Sequence, residues 1–226
     1  MAKGIFVTAT GTDVGKTYIS GLILKKLIEN GCKATYYKGA LSGALEIDGK
    51  LVAGDAKEVL ETAGIQGDPN SCVSYIYKTP VSPHLASQIE GNPIELSKML
   101  SDYSSLKIKN DYILTEGSGG LICPLRLDEG KLMLTDLIKA LGLEILIVAS
   151  AGLGTINATL LTVSYANQMG IVIRGIILNG YERENPMHID NKNQIEKLVG
   201  MKITTTVAKG DKELDISIEE LKSIFS

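Results

Sequence analysis

An apolar run, Ile5-Phe6-Val7, leads into Thr8-Ala9-Thr10-Gly11-Thr12-Asp13-Val14-Gly15-Lys16-Thr17, after which Ile19, Leu22, Ile23 and Leu27 recur at helical spacing. A short aliphatic run followed by a 3.6-residue period reads as a buried strand and then an amphipathic helix. A glycine-bearing loop between the two, ending in Gly-Lys-Thr, is the arrangement that cradles phosphate. Backbone N–H groups in such a loop point at phosphate oxygens, and the helix N-terminus adds the positive end of its dipole. A lysine at position 16 is then placed to neutralise β- and γ-phosphates, and a hydroxyl at position 17 to ligate Mg2+. The chain is expected to hold a nucleoside triphosphate. Its loop departs from the commonest spacing, because Thr10 stands five residues before Gly15 where glycine is usual, and the nearest glycine is Gly11.

The rest of the chain alternates in the same way. Strands are expected at Ile5–Thr8, Ala34–Lys38, Tyr112–Thr115, Ile145–Ala149, Val172–Leu178 and Ile203–Val207. Helices are expected at Lys16–Asn30, Ala56–Ala63, Pro93–Leu106, Thr135–Leu141, Thr155–Met169, Ile189–Val199 and Ser217–Phe225, several followed by a glycine suited to a left-handed cap. Strands nearly free of polar residues, alternating with helices, imply an α/β fold: a mostly parallel central sheet with helices on both faces. With 226 residues, 44% hydrophobic and 22% charged, one domain over residues 1–226 is expected. The stretch Gly39–Asn92, rich in glycine, proline and serine, reads as the least regular part, wrapping over the C-terminal edge of the sheet.

Composition removes several function classes. A net charge of -3 with scattered basic residues argues against nucleic-acid binding. Cys32, Cys72 and Cys123 lie far apart, which suits a reducing cytoplasm, and the isolated His84 and His188 do not make a zinc site. The first apolar run is too short for a signal peptide or a membrane span, so no membrane is expected.

Chemistry should collect at the C-terminal ends of the strands. Glu116 ends the strand Tyr112-Ile113-Leu114-Thr115 and is followed by Gly117-Ser118-Gly119-Gly120, a carboxylate beside a loop that admits close approach. Lys38 ends the second strand, with Ser42 and Gly43 beyond it. Asp55, in Gly54-Asp55-Ala56, reads as a helix N-cap. Asn157 lies near a helix start entered through Gly154-Thr155, where an anion could bind. Asn179 ends a strand and carries the paired donor and acceptor that a purine edge requires.

Together these segments resemble the dethiobiotin synthetase family of phosphate-loop NTPases. The resemblance rests on Phe-Val-Thr before Thr12-Asp13-Val14-Gly15-Lys16-Thr17, then Tyr37-Lys38, Ser42-Gly43, Gly54-Asp55-Ala56, Ser82-Pro83-His84, Glu116 to Gly120, and Gly154-Thr155-Ile156-Asn157. It implies ATP and Mg2+ as cofactors and the ATP-dependent closure of a ureido ring on 7,8-diaminopelargonic acid with CO2. It implies that Thr17, Asp55 and Glu116 hold Mg2+, while Lys16, Lys38 and Thr12 serve catalysis. Asp13, Val14, Gly15, Tyr18, Gly117, Ser118 and Gly119 complete the nucleotide site, and Asn179 with Gly180 meets the adenine. Ser42 contacts the substrate. Gly154, Thr155 and Asn157 serve its carboxylate in a homodimer, from the partner subunit.

The sequence departs from the family at Ala9, at Gly11, and at Gly39-Ala40, where Pro-Val usually follows the lysine. Thr205 to Ala208 replaces an Ile-Pro or Val-Pro loop, and Asn191 stands where some members have tyrosine. The alternative is a partition-type or regulatory ATPase of the same superfamily. Such proteins carry an additional lysine near the start of the loop, and Thr10-Gly11-Thr12 lacks it.

Overall fold

Every residue of strand β1 (Lys3–Ala9) after Lys3 is buried, because the strand lies in the middle of a sheet covered on both faces. The computed structural model describes residues 2–128 and 130–226. In chain order, β1 is followed by α1 (Lys16–Glu29), β2 (Ala34–Ser42), the hairpin β3 (Leu45–Ile47) and β4 (Lys50–Val52), α2 (Gly54–Ala63), β5 (Val73–Tyr77), α3 (Pro83–Ile89) and α4 (Leu96–Lys107). Then come β6 (Tyr112–Glu116), β7 (Pro124–Arg126), β8 (Leu132–Met133), α5 (Leu134–Leu141), β9 (Ile145–Ser150), α6 (Thr155–Gln168), β10 (Ile173–Asn179), α7 (Pro186–Val199), β11 (Thr205–Val207) and α8 (Ile218–Ile224).

Seven strands form one sheet in the order β11-β10-β9-β1-β6-β2-β5, and every neighbouring pair is parallel. Alternate side chains leave opposite faces of each strand. Ile5, Val7, Tyr36 and Leu114 pack with Ile19, Ile23 and Leu27 of α1, Val59 and Leu60 of α2, and Leu221 of α8. Phe6, Tyr37 and Ile113 pack on the other face with Met99 and Tyr103 of α4, Leu137 of α5, Ala166 of α6 and Ile195 of α7. The order places β1 between β6 and β9, so the loops after β1 and β6 open side by side at one edge.

The expected elements are present, with shifted ends and some additions. The glycines after five helices, Gly31, Gly64, Gly142, Gly170 and Gly200, all have φ near +70°. Helix α7 starts three residues earlier than expected, because Asn185 caps the Met187 N–H at 3.1 Å and Pro186 suits the first turn. Helix α4 starts at Leu96 rather than Pro93, after an extended Glu95. The stretch Gly39–Asn92 is more regular than expected. It holds the last residues of β2, the β3–β4 hairpin, helix α3 and a seventh strand, β5, on the sheet edge. The tyrosines of β5 are held through their hydroxyls: Tyr77 donates to the Asn92 carbonyl at 2.6 Å, and Tyr75 accepts the Glu95 N–H at 2.9 Å. Among the described residues no helix is long and apolar enough to cross a membrane.

Candidate active site

The loop between β1 and α1 turns through two left-handed residues, Asp13 (φ 58°) and Gly15 (φ 93°). Gly15 is needed twice over. Its φ disfavours a side chain, and a Cβ there would sit 2.1 Å from Asn179 Nδ2. Asn179 reaches the loop from the end of β10 and donates to the Val14 carbonyl at 3.0 Å. Lys16 is buried and curls back over the loop, its Nζ 3.3 Å from the Gly11 carbonyl. Burial lowers the pKa of this ammonium, with Glu116 opposing the shift and Lys38 adding to it.

Strands β2 and β6 supply the opposite wall. Lys38 and Glu116 are register partners, so both side chains leave the sheet on the α1 face. Lys38 Nζ lies 2.8 Å from Glu116 Oε1 and also bonds Asp55, so one ammonium bridges two carboxylates. Burial would lower the Lys38 pKa, but the charges of Glu116 and Asp55 and their hydrogen bonds outweigh it and raise it. The Thr17 hydroxyl donates to the same Glu116 Oε1 at 3.1 Å. Glu116 Oε2 is fully buried with no hydrogen-bond partner among the described residues. Asp55 is not the helix cap expected: α2 begins at Gly54 with Ala53 in the capping place. Its carboxylate is therefore free to reach across to Lys38.

These walls enclose a cleft of about 460 Å3, and most of the expected residues line it: Thr12, Asp13, Gly15, Lys16, Thr17, Tyr18, Lys38, Ser42, Asp55, Glu116, Ser118 and Gly119. Gly117 sits just behind, where any side chain would run into Phe6. Val14 and Asn179 meet each other at the loop's other side, with Gly180 exposed beyond them. Glu58 lines the cleft too and was not expected. It lies one turn after Asp55 on α2, an i,i+3 spacing that puts both carboxylates on one side of the helix but is no motif by itself. Partial removal from water, and then the charges of Asp55 and Glu116, push its carboxyl pKa up.

The expected carboxylate site is not part of this cleft. Asn157 lines a second cleft, of about 340 Å3, with Thr10, Gly120, Ile122, Leu161 and Tyr165. Gly154 and Thr155 form the start of α6 beside it. Asn191 lies on α7. It is buried and donates to the Ala151 and Gly152 carbonyls at 2.9 and 3.1 Å, fastening the turn that leads into α6. From the first turn of α1, Tyr18 hydrogen-bonds the Asp211 carbonyl, and Asp211 accepts the Ala208 N–H at 2.8 Å, closing the loop after β11.

The donor set fits Mg2+. A magnesium site is commonly built from one or two carboxylates, with phosphate and water oxygens completing the octahedron. Here the Glu116 and Asp55 carboxylates and the Thr17 hydroxyl line one cleft, with Thr17 bonded to Glu116 Oε1. Among the described residues no group of three or more His, Cys, Asp or Glu could hold an ion, which suits a site completed by the nucleotide rather than a protein cage.

A phosphate loop on the central strand of a parallel sheet, facing carboxylates and a lysine on the neighbouring strand ends, defines a phosphate-loop nucleotide enzyme. Solved structures share the fold: the MinD cell division protein of Aquifex aeolicus (TM-score 0.55, 16% identity, 93% of this chain and 84% of that one) and a ParA family ATPase from Chlorobium tepidum TLS (0.58, 14%, 99% and 90%). A family model described as an AAA domain matches residues 3–211. Proteins named ATP-dependent dethiobiotin synthetase BioD are similar along the whole chain. The one from Clostridium botulinum strain Eklund 17B is 48% identical over 225 residues, covering 100% of this chain and 99% of the relative. That of Clostridium perfringens strain 13 is 46% identical with the same coverage. The chain belongs to the ATP-dependent dethiobiotin synthetase family.

Proposed function

We propose that this protein is a ligase that makes dethiobiotin at the expense of ATP, in biotin biosynthesis, with residues 1–226 acting as one domain. The observation that carries the site assignment is the convergence of Lys16, Thr17, Lys38, Asp55 and Glu116 on one cleft. Five residues from four chain segments meet there, with charges that complement a metal-bound triphosphate. The partition-type alternative shares the fold with this chain, but relatives at 46–48% identity named as synthetases do not favour it.

The substrates are 7,8-diaminopelargonate and CO2. One amine attacks CO2 to give a carbamate. ATP phosphorylates the carbamate to a mixed anhydride, and the second amine closes the ring with release of phosphate. Such a reaction needs positioning and charge neutralisation more than a covalent nucleophile. The backbone of the loop from Thr12 to Gly15 cradles the triphosphate, and Lys16 lies along its β- and γ-phosphates. Thr17, Asp55 and Glu116 would hold Mg2+, which would supply further neutralisation of the phosphate oxygens. Lys38 moves its ammonium from the carboxylates to the transferred phosphoryl group, while Ser42 borders the carbamate and Ser118 and Gly119 the nucleotide. Asn179 gives one amide N–H to the Val14 carbonyl, which leaves Oδ1 and the second N–H for the adenine edge, beside Gly180 and under the loop held by Tyr18.

A homodimer belongs to the same proposal. Ile122 and Leu161, which line the second cleft, are 64% and 63% exposed, and Leu153, just ahead of α6, is 93% exposed; a partner covering them would bring Gly154, Thr155 and Asn157 to the other subunit's substrate carboxylate. The cytoplasmic setting expected from the cysteine spacing also stays within this proposal. The test is product formation from diaminopelargonate, bicarbonate and ATP. Dethiobiotin, ADP and phosphate in equal amounts support the reading, whereas ATP hydrolysis indifferent to the diamine would refute it.

A further inference from the structure

Tyr36 lies on β2 two residues before Lys38, pairs in register with Leu114, and therefore shares the face that carries Lys38 and Glu116. It is among the largest fully buried side chains. Its hydroxyl closes no hydrogen bond of ordinary length among the described residues, and neither does Glu116 Oε2. A buried donor and a buried acceptor, each without a partner among the described residues, thus lie on one face of the sheet at neighbouring register positions. Tyr36 and Glu116 are diagonal neighbours on that face, two residues apart in the register of β2 and β6, a separation that a long aromatic side chain can span. The other carboxylate oxygen, Oε1, is already taken by Lys38 and Thr17. Buried polar groups are nearly always paired, so this couple calls for a reason.

We propose that Tyr36 is a positioning residue for the metal site: its hydroxyl donates to Glu116 Oε2 and aims the carboxylate once Lys38 turns to the nucleotide. This rests on the reading of Glu116 as a Mg2+ ligand. While Lys38 bridges Glu116 and Asp55, the ammonium fixes the carboxylate by itself. Once that ammonium leaves, the carboxylate would otherwise be free to rotate on a one-sided anchor at Thr17. A phenol fixed by a strand and by close packing supplies the second anchor without bringing a charge. Hydrogen-bond partners behind a metal ligand typically change metal affinity about 10- to 100-fold.

The experiment compares the full-length protein with Tyr36→Phe and Glu116→Gln. ADP binding is followed by calorimetry across a Mg2+ titration and again in EDTA, and Mn2+ binding to the ADP complex by electron paramagnetic resonance. Tyr36→Phe is expected to raise the Mg2+ needed for half-maximal binding about 10-fold and to weaken Mn2+ in parallel. ADP affinity in EDTA and the thermal midpoint should stay unchanged. Tyr36→Met, which also lacks the hydroxyl, should repeat the shift. If Glu116→Gln weakens Mg2+ and Tyr36→Phe does not, the positioning role is overturned and the ligand reading survives. If Glu116→Gln leaves the titration unchanged, the ligand reading itself fails. A Tyr36→Phe protein that does not fold, or that loses affinity equally with and without metal, assigns the residue to packing and overturns the proposal.

Discussion

Lys38 Nζ and Glu116 Oε1 are 2.8 Å apart at a register pair of adjacent parallel strands, so the sheet itself holds the cation against the carboxylate. No loop rearrangement is required to bring them together. The same ammonium reaches Asp55 on α2, which makes it the internal counter-ion of both carboxylates among the three proposed metal ligands.

Lys38→Ala is expected to keep ATP binding and lose most turnover, on the order of 10²–10³-fold, as when one transition-state charge partner is removed. It also strips the counter-ion from a fully buried carboxylate. Mg2+ alone should therefore raise the thermal midpoint of Lys38→Ala more than that of the unaltered protein. Near-normal turnover, or equal Mg2+ responses, would remove Lys38 from these roles.

Gly15→Ala places a Cβ against Asn179 Nδ2 at a φ of 93°. The left-handed backbone alone costs about 1–2 kcal/mol for a residue with a side chain. Nucleotide affinity and unfolding free energy should both fall. Adding Asn179→Gly should recover only the part due to the clash, leaving the backbone cost visible in urea denaturation. Complete recovery would mean that the φ carries no cost.

Asn191→Leu removes two hydrogen bonds to the turn ahead of α6. Each is worth about 0.5–1.5 kcal/mol in a typical protein. The expected outcome is a several-fold rise in KM for the diamine with KM for ATP unchanged, since the turn positions Gly154, Thr155 and Asn157 and not the phosphate loop. Steady-state kinetics with each substrate varied would show it. Equal rises in both constants would count against a selective role.

Glu196 on α7 accepts from the Ile203 N–H at 3.0 Å and pairs with Lys192 and Lys202. Burial would raise its pKa, but those partners outweigh it and bring it down to about 2. Because the folded-state value lies below the unfolded one of 4.5, this stabilisation is complete above that pH. It is lost as the pH falls from 4.5 to about 2. Glu196→Gln should lower the denaturation midpoint at pH 7, and the gap from the unaltered protein should narrow through that window. A gap constant with pH would disprove the linkage.

Much of the fold was legible in the chain because short aliphatic strands and glycine-capped helices each carry a local period. β5 was missed since Val73-Ser74-Tyr75-Ile76-Tyr77 lies among prolines and its pairing partner, β2, is distant in sequence. Glu116 and Lys38 were visible as strand ends, whereas Glu58 and Tyr36 carry no motif and gain meaning only from what they face. Asp55 was legible as a residue but not as a contact, because its short-range pattern suggested a cap.

The amino-acid sequence by itself determined the phosphate loop, the alternation that makes a parallel sheet, and the family signature, since each is written in neighbouring residues. Only the tertiary structure decided that β2 and β6 lie side by side, that Asn179 closes on Gly15 across the sheet, and that Asn191 clamps a turn. Strand order and side-chain facing arise from long-range pairing and packing, which no local window of the chain contains.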